Sequence, residues 1–149
     1  MNHSMVTRRK LLAALGISVT AGCMERLSGT SQSGIRLGSL RIANTTEVAH
    51  TVDILIERGS KSVYHETSEI AGNDGVWIEP TWSSEPADYD LYYVISGFNE
   101  LQMAKLNELH EDEMEGDCLF ADLWITEEVA DSFVTAKDTA EEEIATCNF

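Results

Sequence analysis

Three cysteines are the side chains of this sequence with the most definite chemistry. Cys23 follows a short apolar run near the beginning, whereas Cys118 and Cys147 lie in the last third of the chain. A pair of cysteines outside the cytoplasm favours a disulfide bond. The two residues are 29 positions apart, and closing a loop of that length stabilises a fold by roughly 3–4 kcal/mol. We therefore predict a disulfide between Cys118 and Cys147, with two free thiols as the alternative.

Two tryptophans are candidates for a binding surface. Trp77 and Trp124 lie in short segments rich in aliphatic residues, and the alternation of side chains in these segments is typical of β-strands. Both tryptophans fall on the face opposite the aliphatic side chains of their strands. Exposed indole rings on a sheet offer a platform on which a sugar can bind. The alternative is that the rings are partly buried beneath a second covered face.

Metal and catalytic sites have little support in the sequence. A blue-copper site needs a cysteine, two histidines and usually a weak methionine ligand, but no histidine follows Cys118. The acidic segment 107–117 carries the oxygen ligands that hard cations prefer, yet its spacing is not that of an EF-hand loop. The motifs of hydrolases, phosphate-binding loops and zinc sites are absent from the sequence. We predict no catalytic residue, no metal site and no cofactor.

One possible modification site lies near the end of the first predicted strand. Asn44, Thr45 and Thr46 form an N-glycosylation sequon. An exported protein meets glycosylation enzymes, so Asn44 is predicted as a possible glycan acceptor. A chance occurrence of so short a motif is the alternative.

The first 22 residues predict an export signal. A basic stretch that contains Arg8 and Arg9 precedes an uncharged run from 11 to 21, as in secretory signal peptides. That run is about half the roughly 20 residues that a membrane-spanning helix needs. The stretch TRRKLL resembles the twin-arginine export signal. The resemblance implies export in the folded state.

Cys23 closes this signal segment. The stretch TAGC resembles the lipobox of bacterial and archaeal lipoproteins, and this resemblance implies that Cys23 carries a lipid and becomes the new N-terminus. Thr20 departs from the aliphatic residue that is usual at that position. Plain secretion after cleavage behind Ala21 is therefore the alternative to a lipid anchor on the outer face of the cytoplasmic membrane.

The charge of the chain restricts its partners. The 149 residues include 26 Asp and Glu against 10 Lys and Arg, a net charge of −16. Such a protein repels the phosphates of nucleic acids, which we exclude as partners. Repulsion between these charges destabilises a compact domain in dilute buffer. In molar salt the Debye length is about 3 Å, so the repulsion is largely screened. The composition resembles that of proteins from extreme halophiles.

The elements that would position these residues are strands. Residues 23–38 predict a lipidated cysteine with a flexible Ser- and Gly-rich tether, and residues 39–149 predict the folded domain. Seven or eight short strands with turns at intervals of about 8–12 residues indicate an all-β sandwich. Its architecture resembles an immunoglobulin-like domain. The turn at 72–75 predicts a hairpin, and segment 101–107 is ambiguous between strand and helix with strand favoured.

These observations lead to one functional expectation and two alternatives. The chain resembles the uncharacterised, twin-arginine-exported surface lipoproteins of haloarchaea. The resemblance implies a non-enzymatic, lipid-anchored protein with a structural or interaction role at the cell surface, where its partners would be the membrane, other surface proteins or glycans. The first alternative is a binding module for a carbohydrate, a small solute or a partner protein. The second is a hydrolase with an unrecognised pair of carboxylates.

Overall fold

The computed structural model describes residues 34–109, 117–138, 147 and 149. They form two four-stranded sheets, with strand orders β4-β1-β7-β8 in sheet 1 and β3-β2-β5-β6 in sheet 2. The strands are β1 Arg36–Asn44, β2 His50–Arg58, β3 Lys61–Ile70, β4 Asp74–Ile78, β5 Tyr89–Ile95, β6 Gln102–Lys105, β7 Cys118–Ile125 and β8 Phe133–Asp138. Short 3-10 helices lie at Leu106–Glu108 and Val129–Asp131. The predicted all-β sandwich is confirmed.

The core of the sandwich follows from the alternation of side chains along the strands. In β2, Val52, Ile54 and Ile56 are buried and point toward sheet 1, and the residues between them face solvent in part. Leu91 of β5 and Leu123 of β7 extend the same apolar layer. The two inner faces therefore bury one continuous core, and every second residue is left on an outer face.

The two-sheet sandwich is the feature that this domain shares with immunoglobulin domains, whereas the connectivity of its strands is different. Constant-type immunoglobulin domains place their first two strands in one sheet, whereas here β1 and β2 belong to different sheets. Strand β1 pairs antiparallel with β4 and parallel with β7. It is thus an inner strand of sheet 1, and its outward residues contact side chains from both neighbours.

The domain begins earlier than the sequence pattern predicted. Strand β1 starts at Arg36 instead of Ser39, and a register shift lies between Leu37 and Leu40. Ile35 and Leu37 are buried in the core, and Ile35 also forms a bridge with Ala87. The tether predicted to end at residue 38 was therefore too long. Gly and Ser residues around these two apolar side chains concealed the strand.

The turns at 58–61 and 72–75 connect their strands in different ways. Arg58 and Lys61 face each other across a hairpin turn with Gly59 at a φ of 61°. The hairpin predicted at 72–75 was wrong, because β3 and β4 belong to different sheets and β4 pairs with β1. Gly72 is needed there for a close approach, since a Cβ atom at that position would lie 2.3 Å from the carbonyl oxygen of Glu47. The ambiguous segment forms β6 and then a 3-10 helix.

The predicted disulfide joins Cys118 at the start of β7 to Cys147, with 5.8 Å between their Cα atoms. Beside it, the Arg36 guanidinium donates to Oδ1 of Asp117 through Nε at 3.0 Å and Nη2 at 2.7 Å. This hydrogen bond lowers the pKa of Asp117 below its usual range and raises that of Arg36. The ion pair thus holds the start of β7 against β1, and the disulfide ties the same end of β7 to Cys147. In the part of the chain that the structure describes, no helix has the length and hydropathy to cross a membrane.

Candidate functional site

The outer surface of sheet 1 carries the two tryptophans that the sequence singled out. Trp77 on β4 is the register partner of Arg41 on β1, and Trp124 on β7 is the register partner of the neighbouring outward residue, Ala43. Phe120 on β7 and Phe133 on β8 point to the same side. The residues Trp77, Arg41, Trp124, Phe120 and Phe133 are called the tryptophan face below.

Arg41 connects the two indole rings. The central carbon of its guanidinium lies 5.3 Å from the centroid of the Trp77 ring and 5.0 Å from that of Trp124. Both distances are within the range of cation–π attraction. The Trp77 ring also packs on Phe120, with 5.6 Å between the centroids. The two tryptophans are therefore held in fixed positions around one planar cation.

A buried carboxylate holds that cation in place. Asp122 is 0% exposed, and its two oxygens accept hydrogen bonds from Nε and Nη2 of Arg41 at 2.5 and 2.9 Å. The Nζ of Lys137 lies 3.9 Å from the same carboxylate and 5.7 Å from the centroid of Phe120. A bidentate pair of this kind fixes the plane of the guanidinium. Because both its oxygens are engaged by Arg41, Asp122 orients the aromatic cluster.

Exposure differs sharply across the face. Phe120 is 1% exposed, while Phe133 at the edge is 48% exposed and the two tryptophans are half-buried. Beside β8, a cavity of about 560 Å³ is lined on this face by Trp124, Phe133, Thr135 and Lys137. Trp77 and Trp124, the two residues predicted as a possible platform, thus belong to a single cluster with an anchored centre and an open edge. Trp82, by contrast, is buried, and its Nε1 donates to the carbonyl of Leu37 at 2.7 Å.

The sequon at Asn44 lies in the interior, and the structure contradicts a glycan there in the folded protein. Asn44 is 2% exposed. Its Nδ2 donates to the carbonyl oxygens of Val48, Ile70 and Ala71 at 2.8, 3.1 and 3.0 Å. Its Oδ1 accepts from the backbone N–H and the hydroxyl of Thr46. A glycan would be attached to Nδ2, which is the atom that donates to these three carbonyl oxygens. The side chain of Asn44 therefore holds the adjoining loops together.

The outer surface of sheet 2 has a different character. His65 Nε2 lies 3.0 Å from Oδ1 of Asp53, which also accepts from the hydroxyl of Thr67 at 2.8 Å. Leu55 and Tyr92 lie next to this group and line a cavity of about 360 Å³. We call Asp53, Leu55, His65, Thr67 and Tyr92 the histidine face. Among the described residues, no group of three or more His, Cys, Asp and Glu side chains is arranged to hold a metal ion.

The structure brings together some of the predicted site residues and leaves others outside its description. Trp77 and Trp124 meet around Arg41, and Cys118 meets Cys147. Arg8, Arg9, Cys23 and most of the acidic segment 107–117 lie outside the described residues.

Sequence reasoning missed Arg41 and Asp122. The available signal was a single carboxylate in the middle of the apolar strand CLFADLWI, because a charged residue in such a run needs a partner. The partner lies on a strand 81 positions away along the chain.

Comparison with protein-family models, with curated proteins and with solved structures finds no match to this chain.

Proposed function

We propose that this chain is a non-enzymatic, lipid-anchored surface protein of a halophilic archaeon, and that its tryptophan face binds a protein partner. The observation that carries the proposal is the pair of half-exposed indoles fixed on either side of Arg41. Tryptophan and arginine are the residue types that contribute most to the binding energy of protein interfaces. The face therefore has the composition of an interface centre.

The rigidity of the cluster supports this role. Side chains that are ordered before binding lose less conformational entropy when a partner arrives. Arg41 is already fixed by Asp122, and Trp124 is further held by a 3.3 Å hydrogen bond from its Nε1 to the hydroxyl of Thr135. A partner would meet an arranged surface, which favours recognition over a purely structural role.

The disulfide and the signal segment support the proposed location. Disulfides persist in oxidising compartments, and Cys147 is bonded to Cys118 in this domain. The twin-arginine-like pair Arg8 and Arg9 and the lipobox-like cysteine Cys23 give the export route and the anchor. Two lipid chains on Cys23 would hold the protein firmly at about 0.8 kcal/mol per buried CH₂.

A carbohydrate is the second candidate ligand, and the cavity beside β8 is the observation in its favour. There, the rings of Trp124 and Phe133 adjoin the hydroxyl of Thr135 and the amine of Lys137. Apolar rings with a few polar groups are typical of small-ligand sites. A protein partner is favoured because the guanidinium of Arg41 already lies over one face of each indole, where a sugar ring would otherwise stack.

Partner capture with matched variants tests the function. Tagged protein is extracted from membranes in detergent at molar salt, and co-purifying proteins are identified by mass spectrometry for the wild type, for Trp77→Ala with Trp124→Ala, and for Tyr92→Ala on the opposite face. We expect a partner that is lost from the double variant and retained by Tyr92→Ala. A partner set that is the same for all three proteins would contradict the role of the tryptophan face. Binding to a glycan array that depends on Trp124 would instead support the carbohydrate.

A single substitution tests the anchor. Cys23→Ser removes the atom to which the lipid would be attached, and we expect the protein to move from the membrane fraction to the medium or to remain as an unprocessed precursor of higher mass. Fractionation with mass spectrometry of the N-terminus measures both outcomes. Mature protein in the membrane fraction despite the substitution would refute the lipid anchor.

A further inference from the structure

Two cations meet at one end of the sandwich. Arg58 and Lys61 are cross-strand partners at the β2–β3 hairpin, and both line a cavity of about 380 Å³. The hydroxyls of Ser62, Thr81 and Ser83 line the same cavity. Cationic and hydroxyl donors around a space of this size are the chemistry that recognises an oxyanion. This arrangement is distinct from the tryptophan face, to which none of these residues belongs.

Arg58 and Lys61 differ from Arg36, Arg41 and Lys105 in how closely a carboxylate neutralises them. Arg36, Arg41 and Lys105 each have a carboxylate oxygen between 2.5 and 3.1 Å away. Within the described residues, no ion pair includes Lys61. In a chain with 26 acidic and 10 basic residues, a cation without an acidic partner is unusual. Among the residues that the structure describes, the cavity therefore holds positive charge without a close carboxylate partner.

Arg58 is only loosely satisfied. Its closest carboxylate oxygen, on the exposed side chain of Glu85, is 3.7 Å away. One Nη2–H donates to the backbone oxygen of Glu85 at a long 3.3 Å. The Nε of Arg58 is sheltered from solvent and has no acceptor in the described part of the protein. Native structures rarely leave such donors unsatisfied, so an additional acceptor at this guanidinium would complete its bonding.

The position of the cavity in the fold indicates which molecules could supply that acceptor. The hairpin next to Arg58 bonds through Gly59 N–H to the oxygen of Asp88 at 2.8 Å, and the neighbouring Ala87 bridges to Ile35. The cavity therefore lies at the end of the sandwich where residues 34 and 35 enter. Ten residues, 24–33, separate Cys23 from Gly34, so the Cα atoms of these two residues are at most about 40 Å apart. A lipid on Cys23 would keep this end of the domain within reach of lipid headgroups.

We propose that Arg58 and Lys61, with the hydroxyls of Ser62, Thr81 and Ser83, form a binding site for a phosphate group. Glu85 competes with the phosphate for Arg58. The phosphate belongs either to a membrane lipid or to a free phosphate ion, and the chemistry of recognition is the same for both. Binding of inorganic phosphate stands without the anchor, whereas binding of the lipid headgroup rests on the proposed attachment at Cys23.

Chemical labelling of Lys61 tests the site in the protein as the cell produces it. The protein is treated with an amine-acetylating reagent in detergent alone, in detergent with inorganic phosphate, in vesicles of phosphatidylglycerol, and in vesicles of an uncharged galactolipid without phosphate. Mass spectrometry compares the labelling rates of Lys61 and Lys105, which is also exposed but pairs with Glu108 at 3.1 Å. We expect phosphate or phosphatidylglycerol to slow labelling of Lys61 about tenfold, as a charge-assisted hydrogen bond predicts, and to leave Lys105 unchanged.

Variants separate the outcomes. Isothermal titration with inorganic phosphate should show affinity reduced about tenfold in Lys61→Gln, increased in Glu85→Gln and unchanged in Lys105→Gln, which removes the same charge elsewhere. Protection by phosphate in detergent identifies the free ion as a ligand, and protection in phosphatidylglycerol vesicles alone identifies the headgroup. Equal labelling of Lys61 in all four conditions would overturn the proposal. If Cys23 carries no lipid, the phosphate experiments in detergent remain decisive.

Discussion

The two outer faces of the sandwich differ in the environment that each provides for an outward-pointing carboxylate. On the tryptophan face, Asp122 is completely buried and bidentate to Arg41 beneath aromatic rings. On the histidine face, the Asp53 side chain is 47% exposed and meets His65 and Thr67 at the surface. Both residues point away from the core on inner strands of their sheets. Strand position alone therefore does not determine burial; the size of the neighbouring side chains does.

The difference shows how one face can become organised without contributing to the core. A charge under aromatic rings loses its hydration and must be paired, so its partner becomes indispensable. A charge in contact with water keeps most of its hydration and gains little from pairing. The tryptophan face is accordingly expected to be stiff and sensitive to substitution, and the histidine face to be tolerant.

Removing the two carboxylates gives the strongest test of this comparison. Asp122→Ala leaves Arg41 without its partner between two indoles, and we expect it to lower the free energy of unfolding by about 3–5 kcal/mol. Asp53→Ala should cost less than about 1 kcal/mol. Urea unfolding at a fixed, high KCl concentration measures both values. Equal losses for the two variants would show that the faces do not differ in this way.

The disulfide gives the next largest effect, because it fixes one strand of the tryptophan face. Cys147→Ser opens a loop with a sequence separation of 29, and we expect a loss of roughly 3 kcal/mol. Hydrogen exchange should locate the loss in β7 and β8, with β2 and β5 of the other sheet less affected. Uniform acceleration of exchange in both sheets would contradict this local effect.

The indole of Trp124 provides a smaller test. Trp124→Ala removes one of the two rings around Arg41, and the loss of a cation–π contact with partial burial is expected to cost about 1–2 kcal/mol. Tyr92→Ala on the histidine face is the matched aromatic control and should cost less. Thermal unfolding of both variants in the same buffer makes the comparison. A greater loss for Tyr92→Ala would reverse the ranking of the faces.

Acidification is expected to give the smallest change in the free energy of unfolding. The hydrogen bond from Arg36 lowers the pKa of Asp117 in the folded state, so this pair contributes stability above the pKa of the unfolded chain and loses it as pH falls through the lower folded value. Asp117 is 47% exposed, and solvent screening limits the effect to a few tenths of a kcal/mol. Unfolding of wild type and Asp117→Asn between pH 6 and 2.5 measures it. The difference between the two proteins should shrink toward the acid end, and a difference that grows on acidification would contradict the assignment.

The sequence predicted the strands well and the contacts between distant strands poorly. Alternation in HTVDILIER and CLFADLWI reports local burial, so the segments that form β2 and β7 carry a clear strand pattern. The turn at 72–75 was misassigned because a turn motif does not reveal which sheet the next strand joins.

The site was predictable only in part for the same reason. Trp77 and Trp124 could be placed on an outer face, but Arg41 joins them through a register that no local pattern contains. Arg58 and Lys61 stand on either side of a turn sequence that carries no sign of a binding site, since their lack of close acidic partners emerges only in the folded chain. The burial of Asn44 was likewise invisible, because a sequon motif is independent of fold.

Because Asn44 is buried, its modification state would depend on whether the chain folds before it meets a glycosylating enzyme. Its side-chain nitrogen is available to a glycosylating enzyme only until the loops at Val48 and Ala71 close around it. A chain that folds before it meets such an enzyme would keep an unmodified asparagine, whereas a glycan attached to an unfolded chain would prevent these loops from closing. The mass of the mature protein would thus report the order of folding and export.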